Sequence, residues 1–203
     1  MKSNLTFSIA FILFFINSDI ICQTKYTKTN LFYLSVGSTH YVSNQFAKIP
    51  SANNSAKVFS KFMESFNSFG ITLLSSSKEP VSKIKIIESI NSIMDSVNNT
   101  STGSNVLFVY LCGHGFADKN TKLQFFAPGN LNLNIFDNRN ASQVRGLCIS
   151  FYDLNRFVRN TKLSKLILVY DCCYDLAAPN PEFAYVELTL EERSKWPDSR
   201  KKT

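Results

Sequence analysis

Two short stretches of this chain are apolar at every position: Val106 to Leu111 (VLFVYL) and Leu166 to Tyr170 (LILVY). A strand with one wet face alternates apolar and polar residues. A short β-rich run with no alternation is buried on both faces, as a central strand of a parallel sheet must be. Parallel neighbours need long crossover connections, and those connections are usually helices packed on the sheet. The pair of runs therefore points to an α/β fold with a mostly parallel sheet between helical layers.

The rest of the chain supplies the expected partners. Leu31 to Val36 (LFYLSV) is a further apolar run, ending at Gly37, and Ile71 to Leu74 is a shorter one. Between them, Phe59, Phe62, Met63 and Phe66 repeat at helical spacing, with Gly70 as the stop signal. Pro80 opens a second helical pattern, with Ile84, Ile87, Ile90, Met94 and Val97 on one face. Phe151, Leu154, Phe157 and Val158 mark a third, with Arg156, Arg159 and Lys162 towards its end. The patterns predict strands near 31–36, 71–74, 106–111 and 166–170, and helices near 53–67, 83–97 and 150–159. Phe125 to Asn130 and Leu131 to Asn140 read as a hairpin or an extended loop, Phe183 to Leu190 as a candidate strand, and Glu191 to Thr203 as a polar tail.

A chain of 203 residues, 44% hydrophobic and 18% charged, suits one globular domain. Its net charge of +7 is scattered, apart from Arg200-Lys201-Lys202, so no nucleic-acid partner is expected. At the N-terminus, Lys2 precedes the apolar run Leu5 to Ile16, which is too short to span a bilayer comfortably. This pattern reads as a signal peptide over residues 1–22, cut near Cys22 and Gln23, and predicts secretion. A lipidated Cys22 and an uncleaved membrane anchor rank below it. The predicted catalytic domain spans residues 30–178, followed by a short extension over 179–203.

Beyond Cys22 the chain holds Cys112, Cys148, Cys172 and Cys173, too few for a disulfide scaffold. Cys112 and Cys148 lie in apolar surroundings and read as core. With no CxxC pair and no HExxH spacing, no metal site is expected. Asn53, Asn98, Asn99 and Asn140 begin Asn-x-Ser/Thr triplets, which are acceptors only in a glycosylating host.

Sites in open α/β sheets lie beyond the carboxyl ends of the strands. VLFVYL leads directly into Cys112-Gly113-His114-Gly115, and LILVY into Asp171-Cys172-Cys173-Tyr174. If the two strands are neighbours, an imidazole and a thiol meet at one sheet edge. Thiolate is the effective nucleophile, and an adjacent imidazole generates it. Gly113 and Gly115 would let substrate approach the backbone. The N–H groups of Gly115 and Cys173 are candidates for an oxyanion hole, where a donor is worth roughly 3–4 kcal/mol. Taken singly, a His after a strand is often structural and a Cys after a strand is often core; two residues ending two matched strands favour chemistry. His40, in Ser38-Thr39-His40-Tyr41, reads as structural.

An apolar strand followed by Gly-His-Gly, then an apolar strand followed by Asp-x-Cys, resembles the caspase and metacaspase family of cysteine peptidases. His114 and Cys173 are 59 residues apart, and the caspase signature places its His about 50 residues before its Cys. Leu31 to Tyr41 resembles the family's opening strand and its Gly-Ile-x-x-Tyr turn. Ile49 to Ala56 (IPSANNSA) resembles its Leu-x-Gly-Cys-x-Asn-Asp-Ala segment, and Gly70-Ile71 its Gly-Phe. The resemblance covers roughly residues 30 to 176 and implies a caspase-like three-layer α/β/α sandwich and a cysteine endopeptidase acting on protein or peptide substrates. On that basis His114 and Cys173 are the catalytic pair, Gly115 and Cys173 the oxyanion hole, and Gly113 and Asp171 supporting residues. Cys172 takes the place of the small residue before the nucleophile. The chemistry needs no cofactor, and the family allows calcium activation.

Some positions depart from the family pattern. Metacaspases have Asp where Ser55 stands and Cys where Ala52 stands, so a preference for cutting after Arg or Lys is expected to be weak. Tyr174-Asp175-Leu176 replaces the usual small residue and Gly, and only 30 residues follow Cys173. A second copy or a partner subunit would then complete the pocket. Two alternatives stand beside the peptidase: an inactive caspase-like fold used for binding or regulation, and an enzyme of the legumain or transamidase kind.

Overall fold

The computed structural model describes residues 28–43, 46–117, 124–132, 146–159 and 161–173, with Phe116, Ala117, Phe157 and Cys173 described by their backbones. The signal peptide, the segments 133–140 and 183–190, and the extension 179–203 lie outside the described residues. In chain order the elements are β1 (Thr29–Gly37), α1 (Ala52–Glu64), β2 (Phe69–Leu74), α2 (Lys83–Asn99), β3 (Ser104–Ala117), β4 (Gln124–Phe126), β5 (Ile149–Ser150), α3 (Phe151–Val158) and β6 (Lys165–Cys173).

β2, β1, β3 and β6 lie side by side in that order, and every one of these pairings is parallel. β4 pairs antiparallel with the last three residues of β3, and β5 pairs antiparallel with β4. The fold is thus α/β with a mostly parallel sheet, as the two apolar runs require. They are adjacent: Val106 pairs with Lys165 and Leu111 with Tyr170.

The period of two along each strand sorts the core into two clusters, one per face. Leu34, Val36, Leu107, Val109 and Leu111 pack with Ile86, Ile90, Ile93, Met94 and Val97 of α2 and with Leu154 and Val158 of α3. Tyr33, Phe108, Tyr110 and Cys112 pack with Ala52, Ala56, Phe59 and Met63 of α1. Gly37 is needed where α1 meets β1: a Cβ there would lie 2.7 Å from the Ala52 carbonyl oxygen and 2.7 Å from Asn53 Cα. α3 begins with a capping box, in which Ser150 and Asp153 satisfy each other's backbone N–H groups.

The structure corrects three details of the sequence reading. The buried stripe of α2 runs through Ile86 and Ile93, while Ile84 is 66% exposed; the sequence offers two overlapping stripes of Ile, and only packing chooses between them. α1 stops at Glu64 and not at Gly70, because Asn67 takes the left-handed conformation that turns the chain, with φ 53°. Gly70 instead lies in β2 against the Tyr33 ring. Finally, β3 does not end at Leu111 but runs through Gly113-His114-Gly115 to Ala117.

Candidate active site

β3 and β6 bring the two sequence motifs together. Their register continues past the apolar runs, pairing Cys112 with Asp171, Gly113 with Cys172 and His114 with Cys173. His114 and Cys173 are therefore cross-strand neighbours of the backbone at the carboxyl edge of the sheet. The glycines allow this extension without a turn, since the space a Cβ would take is already filled. At Gly113 it would meet the Tyr41 hydroxyl at 2.6 Å, and at Gly115 the Cys172 Cβ at 2.8 Å and the Phe125 carbonyl oxygen at 3.0 Å. The sequence reading gave these glycines the task of admitting substrate; in the fold they admit neighbouring side chains and strands.

The imidazole of His114 is held from several sides and is buried. Its ring lies 4.9 Å from the Tyr41 ring and 5.2 Å from the Phe46 ring, centroid to centroid. Its backbone N–H donates to the Tyr41 hydroxyl at 2.7 Å. Nε2 lies 2.7 Å from the Ala47 carbonyl oxygen. A carbonyl only accepts, so this bond assigns the proton to Nε2 and leaves the lone pair of the neutral ring on Nδ1. Nδ1 is buried and has no hydrogen-bond partner among the described residues. Burial pushes the pKa of His114 below the ordinary imidazole value, and the Ala47 carbonyl partly opposes this.

The three cysteines whose side chains are described, Cys112, Cys148 and Cys172, are all buried and none is in a disulfide. Cys172 belongs to the core cluster on the α2 face, and its Sγ donates to the Leu111 carbonyl at 3.6 Å. Cys148 is wholly buried, as its apolar context implies, and burial raises its thiol pKa. Cys112 packs on the α1 face beside Ser55; burial first, and the Asp171 carboxylate second, push its thiol up to about 12. Such a thiol stays protonated near neutral pH and is a poor nucleophile.

Asp171 is exposed and accepts a hydrogen bond from the Tyr110 hydroxyl. Burial, then that hydrogen bond, raise the Tyr110 pKa, so the phenol remains the donor. The face around Ser55 and Cys112 therefore carries one carboxylate from β6. Among the described residues no group of three or more His, Cys, Asp or Glu side chains converges to hold a cation, calcium included, and no helix among them is long and apolar enough to cross a membrane.

Sequence reasoning missed the supports contributed by residues 38–53. Tyr41, Phe46 and Ala47 surround the imidazole, and the only signal was the likeness of Gly37 to Tyr41 to a family turn. Asn53 looked like a glycosylation triplet. In the fold its Nδ2 donates to the Ser75 carbonyl at 2.7 Å and its Oδ1 accepts from the Ser75 N–H at 3.2 Å, tying α1 to the end of β2. The backbone N–H of His40 donates to Ser75 Oγ at 3.0 Å, and its Nδ1 is buried with no hydrogen-bond partner among the described residues. No model of a known protein family matches the chain, and no curated protein matches it.

Proposed function

We propose that the chain is a secreted cysteine endopeptidase with a caspase-like three-layer fold, in which Cys173 is the nucleophile and His114 its base. The observation that carries this reading is the parallel register of β3 and β6, which sets His114 opposite Cys173. The order β2-β1-β3-β6, with helices on both faces, supports the caspase-like assignment. The tautomer supports the role of His114. With Nε2–H tied to Ala47, the ring's free lone pair is on Nδ1, the position from which it can take a proton.

In the proposed mechanism the Cys173 thiol gives its proton to His114 Nδ1, and the thiolate attacks the scissile carbonyl carbon. The carbonyl oxygen becomes an oxyanion, held by the N–H groups of Gly115 and Cys173. Collapse breaks the C–N bond, with the imidazolium proton going to the leaving amine, and leaves a thioester on Cys173. Water, deprotonated by His114, hydrolyses the thioester and frees the thiol. Asp171 is the carboxylate available to attract a basic residue before the cut. Because Ser55 replaces a second acid, the preference for such residues is weak.

One observation favours a second reading, a caspase-like fold that binds without turning over. His114 is only 6% exposed, beneath Tyr41 and Phe46, and substrate must gain access to it. Labelling with an electrophilic peptide probe, followed by location of the adduct by mass spectrometry, separates the two. The peptidase reading expects an adduct on Cys173, retained in Cys172→Ala and lost in Cys173→Ala, together with peptide turnover lost in Cys173→Ala. Labelling without turnover supports the binding module. Turnover unchanged in Cys173→Ala ends the peptidase reading.

A further inference from the structure

We infer that Asn99, the last residue of α2, is the acceptor of an N-linked glycan. The inference rests on the proposed secretion and not on the peptidase chemistry. Acceptor triplets begin at Asn53, Asn98 and Asn99 among the described residues; those of Asn4 and Asn140 lie outside them. Transfer uses the amide nitrogen of the asparagine and the hydroxyl two residues further on, and the finished fold must then house a sugar on that nitrogen. The step is a substitution on a lipid-linked oligosaccharide diphosphate. Asn99 Nδ2 bonds to C1 of the first sugar, and the bond from C1 to the diphosphate oxygen breaks. The lipid diphosphate leaves with the electron pair, and the Nδ2 proton passes to a base of the transferase.

The fold separates the three asparagines. Asn53 is engaged at its nitrogen: Nδ2 donates to the Ser75 carbonyl at 2.7 Å, and Oδ1 accepts from the Ser75 N–H at 3.2 Å. The hydroxyl of its triplet, on Ser55, hydrogen-bonds with Cys112. Asn98 is tied to the chain that enters β6. Its Oδ1 accepts from the Lys162 N–H at 3.1 Å, and its carbonyl accepts from Lys162 Nζ at 2.7 Å. The hydroxyl of its triplet, Thr100 Oγ1, donates to the Ser96 carbonyl at 2.9 Å. Asn99 and Ser101 are both exposed, and neither side chain has a hydrogen bond or ion pair among the described residues. Thr100 between them is extended, with φ −78° and ψ 122°, so the chain leaves the helix within this triplet. A sugar on Asn99 therefore displaces no bond of the fold. It also stands clear of the candidate site. Asn99 lies just before β3, and His114 lies ten residue steps beyond Ser104 on that strand, a run of about 33 Å.

The test is expression of the full chain, with its own leader, in a eukaryotic secretory host. Glycosylated asparagines in the exported protein are mapped by mass spectrometry after enzymatic release of the glycan in heavy-oxygen water. The overlap of two triplets supplies the controls. Ser101→Ala removes the Asn99 acceptor and keeps that of Asn98, while Thr100→Ala does the reverse. Circular dichroism checks that each exported variant is folded. The expected result is a glycan on Asn99 in most exported chains, lost in Ser101→Ala and kept in Thr100→Ala. An exported chain that is bare at Asn99 overturns the proposal. So does a glycan that survives Ser101→Ala and is lost in Thr100→Ala, which places it on Asn98. A chain that its own leader does not export is expressed again behind a leader known to direct export. A glycan on Asn99 then upholds the acceptor site and removes only the secretion reading, whereas a bare Asn99 overturns both.

Discussion

The contact between Gly113 and Tyr41 makes a quantitative claim about how the imidazole is held. Gly113→Ala would place a Cβ 2.6 Å from the Tyr41 hydroxyl, with Phe126 Cε2 at 3.0 Å and Ser38 Cβ at 3.1 Å. The φ of Gly113 is not positive, so the backbone itself tolerates alanine, and the loss of unfolded-chain entropy alone would stabilise by about 0.4–1 kcal/mol. Crowding in a packed site costs about 1–3 kcal/mol and outweighs that gain. Tyr41→Phe removes the acceptor of the His114 N–H, and a buried donor without a partner costs about 1–3 kcal/mol. The two changes act on one atom, the Tyr41 oxygen. In the double variant the closest contact of the new methyl is gone and the remaining two are tight but within reach of small shifts. The double variant should therefore be less destabilised than the sum of the singles, by about 0.5 kcal/mol or more. Urea unfolding of the four proteins, with the m-value checked for constancy, measures this directly. A stabilised Gly113→Ala, or strict additivity in the cycle, would refute the placement of Tyr41 against the Gly-His-Gly segment.

Other consequences can be tested alongside it. Since burial lowers the His114 pKa, the fold favours the neutral ring. At pH values above 6.5 folded and unfolded chains are both neutral there and this contribution is complete; as pH falls through 6.5 the unfolded chain takes up a proton that the fold resists, so stability drops. Urea midpoints at neutral and mildly acidic pH should show the drop in the native chain and a shallower one in His114→Gln. Ser150→Ala removes the capping box of α3 and should cost about 1 kcal/mol, a fall of about 2–4 °C in Tm by calorimetry. Asp171→Asn should lower turnover of peptides with Arg or Lys before the cut by roughly fivefold relative to uncharged ones; an unchanged ratio would remove Asp171 from substrate recognition.

Much of the fold was legible because burial leaves a sharp mark on sequence. VLFVYL and LILVY lack alternation and so read as strands of a parallel sheet; the sequence leaves open whether they are neighbours, and the register of β3 and β6 supplies this. Adjacency in turn placed the two chemical motifs at one edge. Ends and faces of elements were less legible. Ile84 and Ile86 fit equally good helical stripes, and the choice between them depends on which side of the sheet the helix covers. Gly113 and Gly115 looked like places where substrate could approach the backbone, since glycine leaves open space. Here it signals crowding by Tyr41, Phe126 and Cys172, which is a property of the assembled fold.

The support of the candidate base was the least legible part, because it depends on backbone atoms. Nothing in the residue type of Ala47 announces that its carbonyl orients an imidazole 67 positions away. Yet that bond decides which nitrogen of His114 is basic, and so decides from which direction a thiol can be deprotonated. Phe46, next to Ala47, lies against the same ring, so cover and orientation come from adjacent residues. A substrate that displaced the whole segment would lose the tautomer that makes Nδ1 the acceptor. On the proposed peptidase reading, substrate would move the Phe46 side chain while the Ala47 carbonyl stays on Nε2. The backbone bonds around the segment fit this division: Val42 N–H to the Gly129 carbonyl at 2.8 Å and Ile49 N–H to the Thr39 carbonyl at 3.2 Å fix the main chain on both sides and leave the Phe46 side chain to packing alone.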